Sequence, residues 1–303
     1  MKTILVIGAS GFIGGHLTRQ LLAEGYVVRC LARKPAKMNP LAQAGAQLVP
    51  GDITDPASLQ AALAGVDAVY ISIQTLVPQH SRTQGQDFMA IELNGLQNIV
   101  DACQFNQVHR LIYVTFLGTH PQAASAWARE RWQAEQLLLN SSLAVTVIRP
   151  GMIVGVGGQG FDMLASNGGR RLAIVIGRGQ QRFRCIAIDD LIYYLVGVLA
   201  DSRTYGQAYD VGSNDVLTMN QLIDVAADVL GRPHPAKLHI PTVLLSVAAP
   251  LIEWISKASK GGIQGALDGM KSDMIGQPEP IRAILPRVLL TNRQAVERAL
   301  HPN

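Results

Sequence analysis

Three glycines stand three residues apart near the start of this 303-residue chain, in the segment VIGASGFIGGHL. The residues before them, Thr3–Ile7, have the composition of a strand, and Phe12–Ala23 has the pattern of an amphipathic helix. Gly8 would allow a sharp turn off the strand, Gly11 would let backbone N–H groups approach a pyrophosphate, and Gly14 would let the helix pack against the strand. The spacing therefore predicts a dinucleotide-binding turn in a βαβ unit.

The start of the helix strengthens this prediction. Its first turn would offer unpaired N–H groups and the positive end of the helix dipole to phosphate groups. Ser10 could donate a further hydrogen bond, and Phe12 and Ile13 are the other turn residues that we expect to contact the cofactor.

Short β-branched segments alternate with helical segments through the first half of the chain. We expect strands at 26–31, 47–49, 67–73, 110–115 and 144–148, and helices at 57–63, 87–105 and 123–140. Asp55 followed by Pro56 indicates where the first of these helices begins. The alternation predicts an α/β protein with the doubly wound parallel sheet of a Rossmann fold and helices on both faces.

The pattern changes after Pro150. We expect a glycine-rich loop at 151–160, strands at 182–188 and 208–211, a helix at 189–200 and mainly helical structure at 218–300. This predicts a dinucleotide-binding domain at 1–150, to whose sheet 183–215 returns. It also predicts a small, mainly helical C-terminal lobe at 151–182 and 216–303 that contacts a substrate or partner.

Composition narrows the classes of function. Of the residues, 48% are hydrophobic and 16% charged, the net charge is +4, and no basic helix is interleaved with aromatics, so we expect no nucleic-acid partner. Cys30, Cys103 and Cys185 lie far apart, which predicts reduced, buried thiols and a cytoplasmic protein. The His and Cys spacings predict no metal site.

The apolar segment 240–255 is interrupted by two prolines and is too short to span a bilayer. We expect no transmembrane segment but a helix packed in the C-terminal lobe. Weak peripheral attachment to a membrane complex stays open as an alternative.

The end of the second predicted strand bears on the choice of nucleotide. It reads RCLARKP, with Arg29, Arg33 and Lys34 and no acid. A carboxylate there would hold the ribose 2′-OH of NAD, whereas guanidinium groups can bind a 2′-phosphate. The segment therefore favours NADP(H), with NAD(H) as the alternative.

Several ordered motifs resemble the short-chain dehydrogenase/reductase superfamily. They are GASGFIGGHL, GDITD, IELNGLQNIVDAC, LIYVTFLG and VTVIRPGMIVG. The resemblance is to the atypical or extended branch, with its epimerase-like, NmrA-like and complex I accessory-subunit-like members. It covers residues 1–155 well and continues more weakly through the rest of the chain.

The resemblance implies roles for individual positions. Asp52 and Ile53 match residues that contact the adenine ring, and Ile71 and Ser72 match backbone contacts to the cofactor. Thr115 matches the catalytic serine position. The segment beside the nicotinamide is matched by Pro150, Gly151, Met152 and Ile153.

The catalytic signature of the superfamily, Tyr-x-x-x-Lys, is missing. Counting back from the matching pair Ala134-Glu135 places Arg131 at the lysine position and Trp127 at the tyrosine position. Tryptophan offers an indole N–H donor but no acid–base behaviour near neutral pH, and arginine keeps its charge without shuttling protons. The pattern thus predicts retained cofactor attachment with loss of the usual acid.

Three functional hypotheses follow. The first is a reductase or dehydrogenase of a small organic substrate with a substitute acid, His120 or His80. The second is a non-catalytic NADP(H)-binding sensor, assembly factor or accessory subunit with a protein partner. The third is a sugar-nucleotide epimerase or dehydratase. A homodimer is compatible with each.

Trp127 and Arg131 also have a purely structural interpretation. Trp127 would pack the helix against the sheet, on one stripe with Ala134 and Leu138, and Arg131 would pair with Glu135 on the surface.

Overall fold

The computed structural model describes residues 2–73, 88–256, 267–269 and 272–301. The strands, in chain order, are β1 (Thr3–Ile7), β2 (Val27–Ala32), β3 (Gln47–Pro50), β4 (Ala68–Ile71), β5 (Arg110–Val114), β6 (Ala144–Pro150), β7 (Met152–Val154), β8 (Leu172–Ile176), β9 (Arg182–Ala187), β10 (Gln207–Val211), β11 (Val216–Thr218) and β12 (Ala236–Ile240). The helices are α1 (Phe12–Ala23), α2 (Asn39–Gln43), α3 (Pro56–Leu63), α4 (Phe88–Phe105), α5 (Ala126–Leu139), α6 (Gln159–Gly168), α7 (Ile188–Gly197), α8 (Met219–Val229), α9 (Thr242–Ser256), α10 (Glu279–Ile284) and α11 (Asn292–Leu300).

Seven parallel strands form the main sheet, in the order β10-β6-β5-β4-β1-β2-β3. The strand order reverses between β1 and β4, which is where ligands bind in open α/β sheets. The predicted doubly wound fold is therefore confirmed, and its switch point lies directly after the first strand.

Two apolar cores cover the two faces of this sheet. The first buries α1 and α7 against one face, and the second buries α3, α4 and α5 against the other. Strands β4 and β5 are buried along their whole length because helices lie on both sides. The predicted start of α3 is also confirmed, since Asp55 caps the helix by accepting a hydrogen bond from Ala57 N, with Pro56 next in the chain.

The segment 151–160 differs from the predicted loop. It contains β7, which pairs with β9 in a three-stranded sheet outside the main one. Glycine is needed at position 151, because a Cβ there would lie 1.7 Å from the carbonyl oxygen of Arg184. This contact between distant segments turns an apparent loop into a strand.

The segment 183–215 divides between the two sheets. β10 pairs with β6 at the edge of the main sheet and α7 packs beside α1, whereas β9 belongs to the three-stranded sheet. The expectation that the whole segment returns to the main sheet was therefore wrong for β9.

The C-terminal lobe is built around α6, α8 and α11, which enclose a third apolar core. Beside them β8 and β12 form a two-stranded parallel sheet. Capping boxes at Thr218 and Thr291 fix where α8 and α11 begin.

All three cysteines are free and buried, as predicted. Burial raises the pKa of Cys30 to about 11 and that of Cys103 and Cys185 to about 12, which keeps these thiols protonated and unreactive near neutral pH. None of the helices that the structure describes is long and apolar enough to cross a membrane.

Candidate functional site

The glycine turn between β1 and α1 is shaped by close backbone contacts. Gly8 has φ +94°, and a Cβ on it would lie 2.3 Å from the carbonyl oxygen of Ser72 at the end of β4. A Cβ on Gly14 would lie 2.3 Å from the carbonyl oxygen of Gly8, and one on Gly11 would lie 3.2 Å from the same atom. The chain can therefore make this turn only with glycine at Gly8 and Gly14.

The first turn of α1 is open to a ligand on its N-terminal side. Gly11 is the N-cap, so no side chain caps the helix, and Ser10 and Gly11 are exposed. The N–H groups of Phe12, Ile13 and Gly14 precede the first intrahelical donor, Gly15 N, which bonds to Gly11 O at 2.9 Å. Three backbone donors and the positive end of the helix dipole thus face the switch point.

Phe12 and Ile13 contribute their backbone to this end rather than their side chains. The ring of Phe12 packs on the glycine-rich segment after β7, where a Cβ on Gly155 would lie 2.8 Å from Phe12 Cζ. Ile13 is buried in the first core. The Phe12 side chain therefore packs α1 against the segment after β7, and the Ile13 side chain packs α1 into the first core.

The ends of β2 and β3 bring Arg33 close to Asp52. Arg33 Nε lies 4.0 Å from Asp52 Oδ2, and the Arg33 side chain is 64% exposed. Asp52 Oδ1 also accepts from Thr54, which fixes the carboxylate at the edge of the site. Lys34 is exposed beside Arg33.

Arg29 does not join this group. Its Nη1 donates to the carbonyl oxygens of Ala62 and Ala64 at the end of α3. These bonds hold the Arg29 side chain against α3. Arg29 lies within β2, whereas Arg33 and Lys34 follow the end of the strand.

The end of β4 places Ser72 next to the glycine turn. Ser72 N donates to Ile7 O at 2.9 Å. The side chain of Ile71 is fully buried in the second core, so only its backbone can border a ligand. Ile53 is half-buried, and its side chain packs against Gly95 of α4.

Pro150 ends β6, and Met152 and Ile153 follow it in β7. The carbonyl oxygen of Pro150 accepts from Leu117 N at 2.9 Å, which joins the end of β6 to the loop after β5. Met152 and Ile153 lie in β7 and are half-buried.

Helix α5 presents one stripe to the protein interior. Arg131, Ala134, Glu135 and Leu138 are buried on it. Trp127 is half-buried one turn earlier, and its ring stacks on Phe116 with the centroids 4.3 Å apart and the planes inclined by 16°. The indole Nε1 of Trp127 is buried and has no hydrogen-bond partner within the part of the chain that the structure describes, which is uncommon for a buried donor.

Arg131 pairs with Glu92 of α4 and not with Glu135. Its Nη1 binds Glu92 Oε1 and lies 3.2 Å from the hydroxyl of Tyr113. Arg131 is 1% exposed, which contradicts the surface pairing with Glu135 expected from the i, i+4 spacing. Burial lowers the pKa of Arg131 to about 10, although the negative charge of Glu135 acts to raise it. The guanidinium therefore stays charged near neutral pH.

Glu135 is the centre of a second buried cluster. It accepts from the Thr115 hydroxyl at 2.7 Å and from the Thr119 hydroxyl at 2.9 Å, and it forms an ion pair with Arg149. Burial opposes the charged form of Arg149, but the hydrogen bonds and charge of Glu135 outweigh it and raise the arginine pKa. Thr115 therefore holds Glu135 in place, and its single hydroxyl proton is already donated.

Of the two histidines predicted as substitute acids, His80 lies outside the described residues. His120 is exposed in the loop after β5, and its Nδ1 accepts from Gln122 N at 3.1 Å. This bond assigns the proton of a neutral ring to Nε2.

The residues that complete these clusters, Glu92, Tyr113, Thr119 and Arg149, were not predicted from the sequence. A signal for two of them was present. Glu92 is an acid within an otherwise apolar stretch of α4, and Arg149 follows the apolar segment AVTVI of β6. Charges on elements that are otherwise buried require partners.

The described residues fit a dinucleotide. The turn leaves no room for side chains where a diphosphate would approach, and uncapped N–H groups face the same place. Trp127, whose buried Nε1 has no hydrogen-bond partner among the described residues, lies in the first turn of α5. Within the described part of the chain, no group of three or more His, Cys, Asp or Glu residues could hold a metal ion.

Comparisons with known proteins agree with this geometry. A family model described as NAD(P)H-binding matches residues 8–171. The chain is 34% identical to the photosystem II assembly factor Ycf39 of Cyanophora paradoxa over 147 residues, 48% of this chain and 44% of that protein. It thus spans less than half the length of that relative.

Two further matches cover most of the chain. It is 27% identical over 260 residues to a 2-alkyl-3-oxoalkanoate reductase of Stenotrophomonas maltophilia, with 77% of each protein covered. Among solved structures, an NADPH-dependent quinone oxidoreductase of Escherichia coli in complex with NADPH has a TM-score of 0.76 and 17% identity, covering 98% of this chain and 100% of that one.

Proposed function

Since the chain belongs to the NAD(P)H-binding family, as an atypical relative of the short-chain dehydrogenases/reductases, we propose that it binds NADP(H) at the switch point and reduces a small conjugated acceptor of the quinone class. The observation that carries the cofactor part is the turn at Gly8 and Gly14, which only glycine can make. When bound, the cofactor supplies a hydride. The protein binds, orients and shields the reacting groups.

The preference for the 2′-phosphate form is supported by the end of β2. Arg33 and Lys34 are exposed there, and Asp52 lies 4.0 Å from Arg33 rather than at the end of β2 itself. A guanidinium and an ammonium group attract a phosphate dianion, whereas a carboxylate at the strand end would repel it.

The class of acceptor follows from what α5 offers. The buried indole N–H of Trp127 has no hydrogen-bond partner among the described residues and would donate to an acceptor oxygen if substrate binding uncovers it, and its ring with Phe116 forms a flat apolar platform. Neither Trp127 nor the buried, ion-paired Arg131 can give up a proton near neutral pH. An acceptor whose reduced anion is delocalised, such as a quinone, needs no strong protein acid and can take its proton from water.

A second candidate function is a non-catalytic NADP(H)-binding accessory protein. It is favoured by the two buried clusters on α5, in which Arg131 and Thr115 are already bonded to Glu92 and Glu135. The match to an assembly factor over 48% of this chain points the same way.

Binding is tested first, by titrating the tryptophan fluorescence with NADPH and with NADH. We expect saturable quenching with a lower Kd for NADPH. No quenching by either nucleotide, together with a flat calorimetric trace, would refute the cofactor part of the proposal.

Turnover is then tested by following NADPH oxidation over a panel of quinones, simple ketones and aldehydes. We expect oxidation with quinones only, and His120→Ala should leave it within about threefold, since water supplies the proton. Binding without turnover on any acceptor would select the accessory protein. Loss of turnover in His120→Ala would assign the acid to His120 and contradict the argument for the acceptor class.

A further inference from the structure

An exposed apolar surface lies on the C-terminal lobe. On β8, Leu172, Ile174 and Ile176 point outward while Ala173 and Val175 are buried in the third core. The parallel register pairs Leu238 of β12 with Ile174, so Leu238 lies on the same outward face. We call these four outward residues, Leu172, Ile174, Ile176 and Leu238, the apolar row.

Helix α9 extends this surface. Its first residue, Thr242, lies at the end of β8, where a Cβ on Gly177 would be 3.5 Å from Thr242 Cγ2. Val243, Leu244 and Val247 of α9 are 70%, 63% and 78% exposed, and Ala249 is buried. The helix was expected to pack into the lobe, but its described first half exposes large aliphatic side chains.

The two segments that carry this surface have charges of one sign. The segments 170–180 and 232–250, which carry these residues, contain five Lys and Arg residues and no Asp or Glu. Lys237 is paired with Asp224 of α8, but none of the described ion pairs involves Arg170, Arg171 or Arg178. A cationic rim on an apolar surface is complementary to an anionic interface with an apolar interior.

A cavity of about 530 Å³ brings the charges and the apolar row together. It is lined by Arg170 and Arg178 and also by Ile174, Ile176 and Met163. Its lining includes one carboxylate, Asp273, which is held by Arg182 in an ion pair. The cavity therefore offers two guanidinium groups to an anionic headgroup beside side chains that suit acyl chains.

We propose that the apolar row and the first turns of α9, with Arg170, Arg171 and Arg178, form a docking surface for an anionic lipid membrane. The aliphatic side chains enter the boundary between headgroups and acyl chains, and the guanidinium groups bind lipid phosphates. The attachment is peripheral and reversible, since it adds a few aliphatic side chains and charges to the bilayer surface.

Two other occupants fit less well. A second copy of this chain would bring the same three arginines close together across a two-fold axis, where like charges repel. A protein partner would be expected to meet aromatic anchors, and the two segments contain no Phe, Tyr or Trp.

The test is partition of the full-length protein onto vesicles, measured by co-sedimentation. We expect binding to phosphatidylcholine vesicles that contain phosphatidylglycerol at low salt, and loss of binding to pure phosphatidylcholine or at high salt. Arg170→Gln with Arg178→Gln should lower the partition coefficient about fivefold for each charge removed. Val243→Ser with Val247→Ser should lower it further, and since both side chains are exposed the fold should persist.

Matched controls lie elsewhere on the surface. Val288 is 96% exposed and Arg298 lies on α11, so Val288→Ser and Arg298→Gln should leave partition unchanged. NADPH affinity should be the same in all variants, which separates this proposal from the one on the cofactor. Equal binding to neutral vesicles, equal loss in the controls, or wild-type binding by the double arginine variant would overturn the proposal. Self-association that the Val243 and Val247 changes abolish would assign the surface to a second copy instead.

Discussion

The two ends of the proposed cofactor site are built from different material. At the phosphate end, the turn around Gly8 and Gly14 is shaped by backbone atoms that leave no room for a Cβ. At the other end, α5 is held by buried charges, Arg131 with Glu92 and Glu135 with Arg149. Substitutions at Gly8 or Gly14 would change the shape of the phosphate end. The buried polar residues of α5, in contrast, can be replaced by another set of paired polar residues. Cofactor binding and acid catalysis can therefore be separated within one fold.

The largest effect is expected at α5, where Arg131→Leu should lower the stability of the protein. The substitution removes the guanidinium that pairs with the buried Glu92 carboxylate, so the free energy of unfolding should fall by about 3–5 kcal/mol in urea denaturation. Glu92→Leu in the same chain should recover most of this loss. A stability within about 1 kcal/mol of wild type in the single variant would show that the ion pair does not hold this end together.

At the backbone end, Gly14→Ala should lower NADPH affinity by about 150-fold, which corresponds to about 3 kcal/mol, the upper range for overpacking. Gly15→Ala is the matched control, since its Cβ would lie 3.5 Å from Ala9 O in ordinary contact. Isothermal calorimetry measures both variants. Similar affinities in the two would mean that the close contact at Gly14 is not what shapes the phosphate end.

A smaller effect is expected from the two basic side chains that follow β2, at the phosphate end of the proposed site. Arg33→Gln with Lys34→Gln should weaken NADPH binding by about 1.5–3 kcal/mol, the range for hydrogen bonds to charged groups, and leave NADH binding unchanged. Arg203→Gln is a control, because Arg203 is exposed and paired with Asp201. Equal losses for both nucleotides would place these two residues outside the 2′-phosphate site.

The smallest effect is expected from Trp127→Phe. The variant keeps an aromatic ring on Phe116 but removes the indole N–H, so kcat/KM with a quinone should fall about tenfold, the cost of one neutral hydrogen bond, while the Kd for NADPH stays the same. An unchanged kcat/KM would show that the indole N–H takes no part in the reaction and that Trp127 only packs against its neighbours.

Much of the fold could be predicted because its signals are local. Strands such as β5 read as continuous apolar segments, and the cap at Asp55 lies next to the helix that it starts. Both signals need only neighbouring residues. The order of elements in the first half of the chain followed from them.

What the sequence did not predict depends on contacts between distant segments. β7 pairs with β9, where the backbone of Arg184 passes close to Gly151. Arg131 pairs with Glu92 of another helix, although Glu135 lies four residues along its own. The spacing of residues along one helix shows only which neighbours share a face. It does not show which other helix packs there or which charge that helix carries.

The position of β10 has a consequence for how the chain must be handled. β10 closes the edge of the main sheet beside β6, yet α6, β8 and β9, which lie outside that sheet, stand between the two strands in the chain. A shortened chain ending near residue 150 would leave the outer N–H and C=O groups of β6 unpaired. Such a strand is a template for pairing between molecules, so we expect that fragment to aggregate during expression.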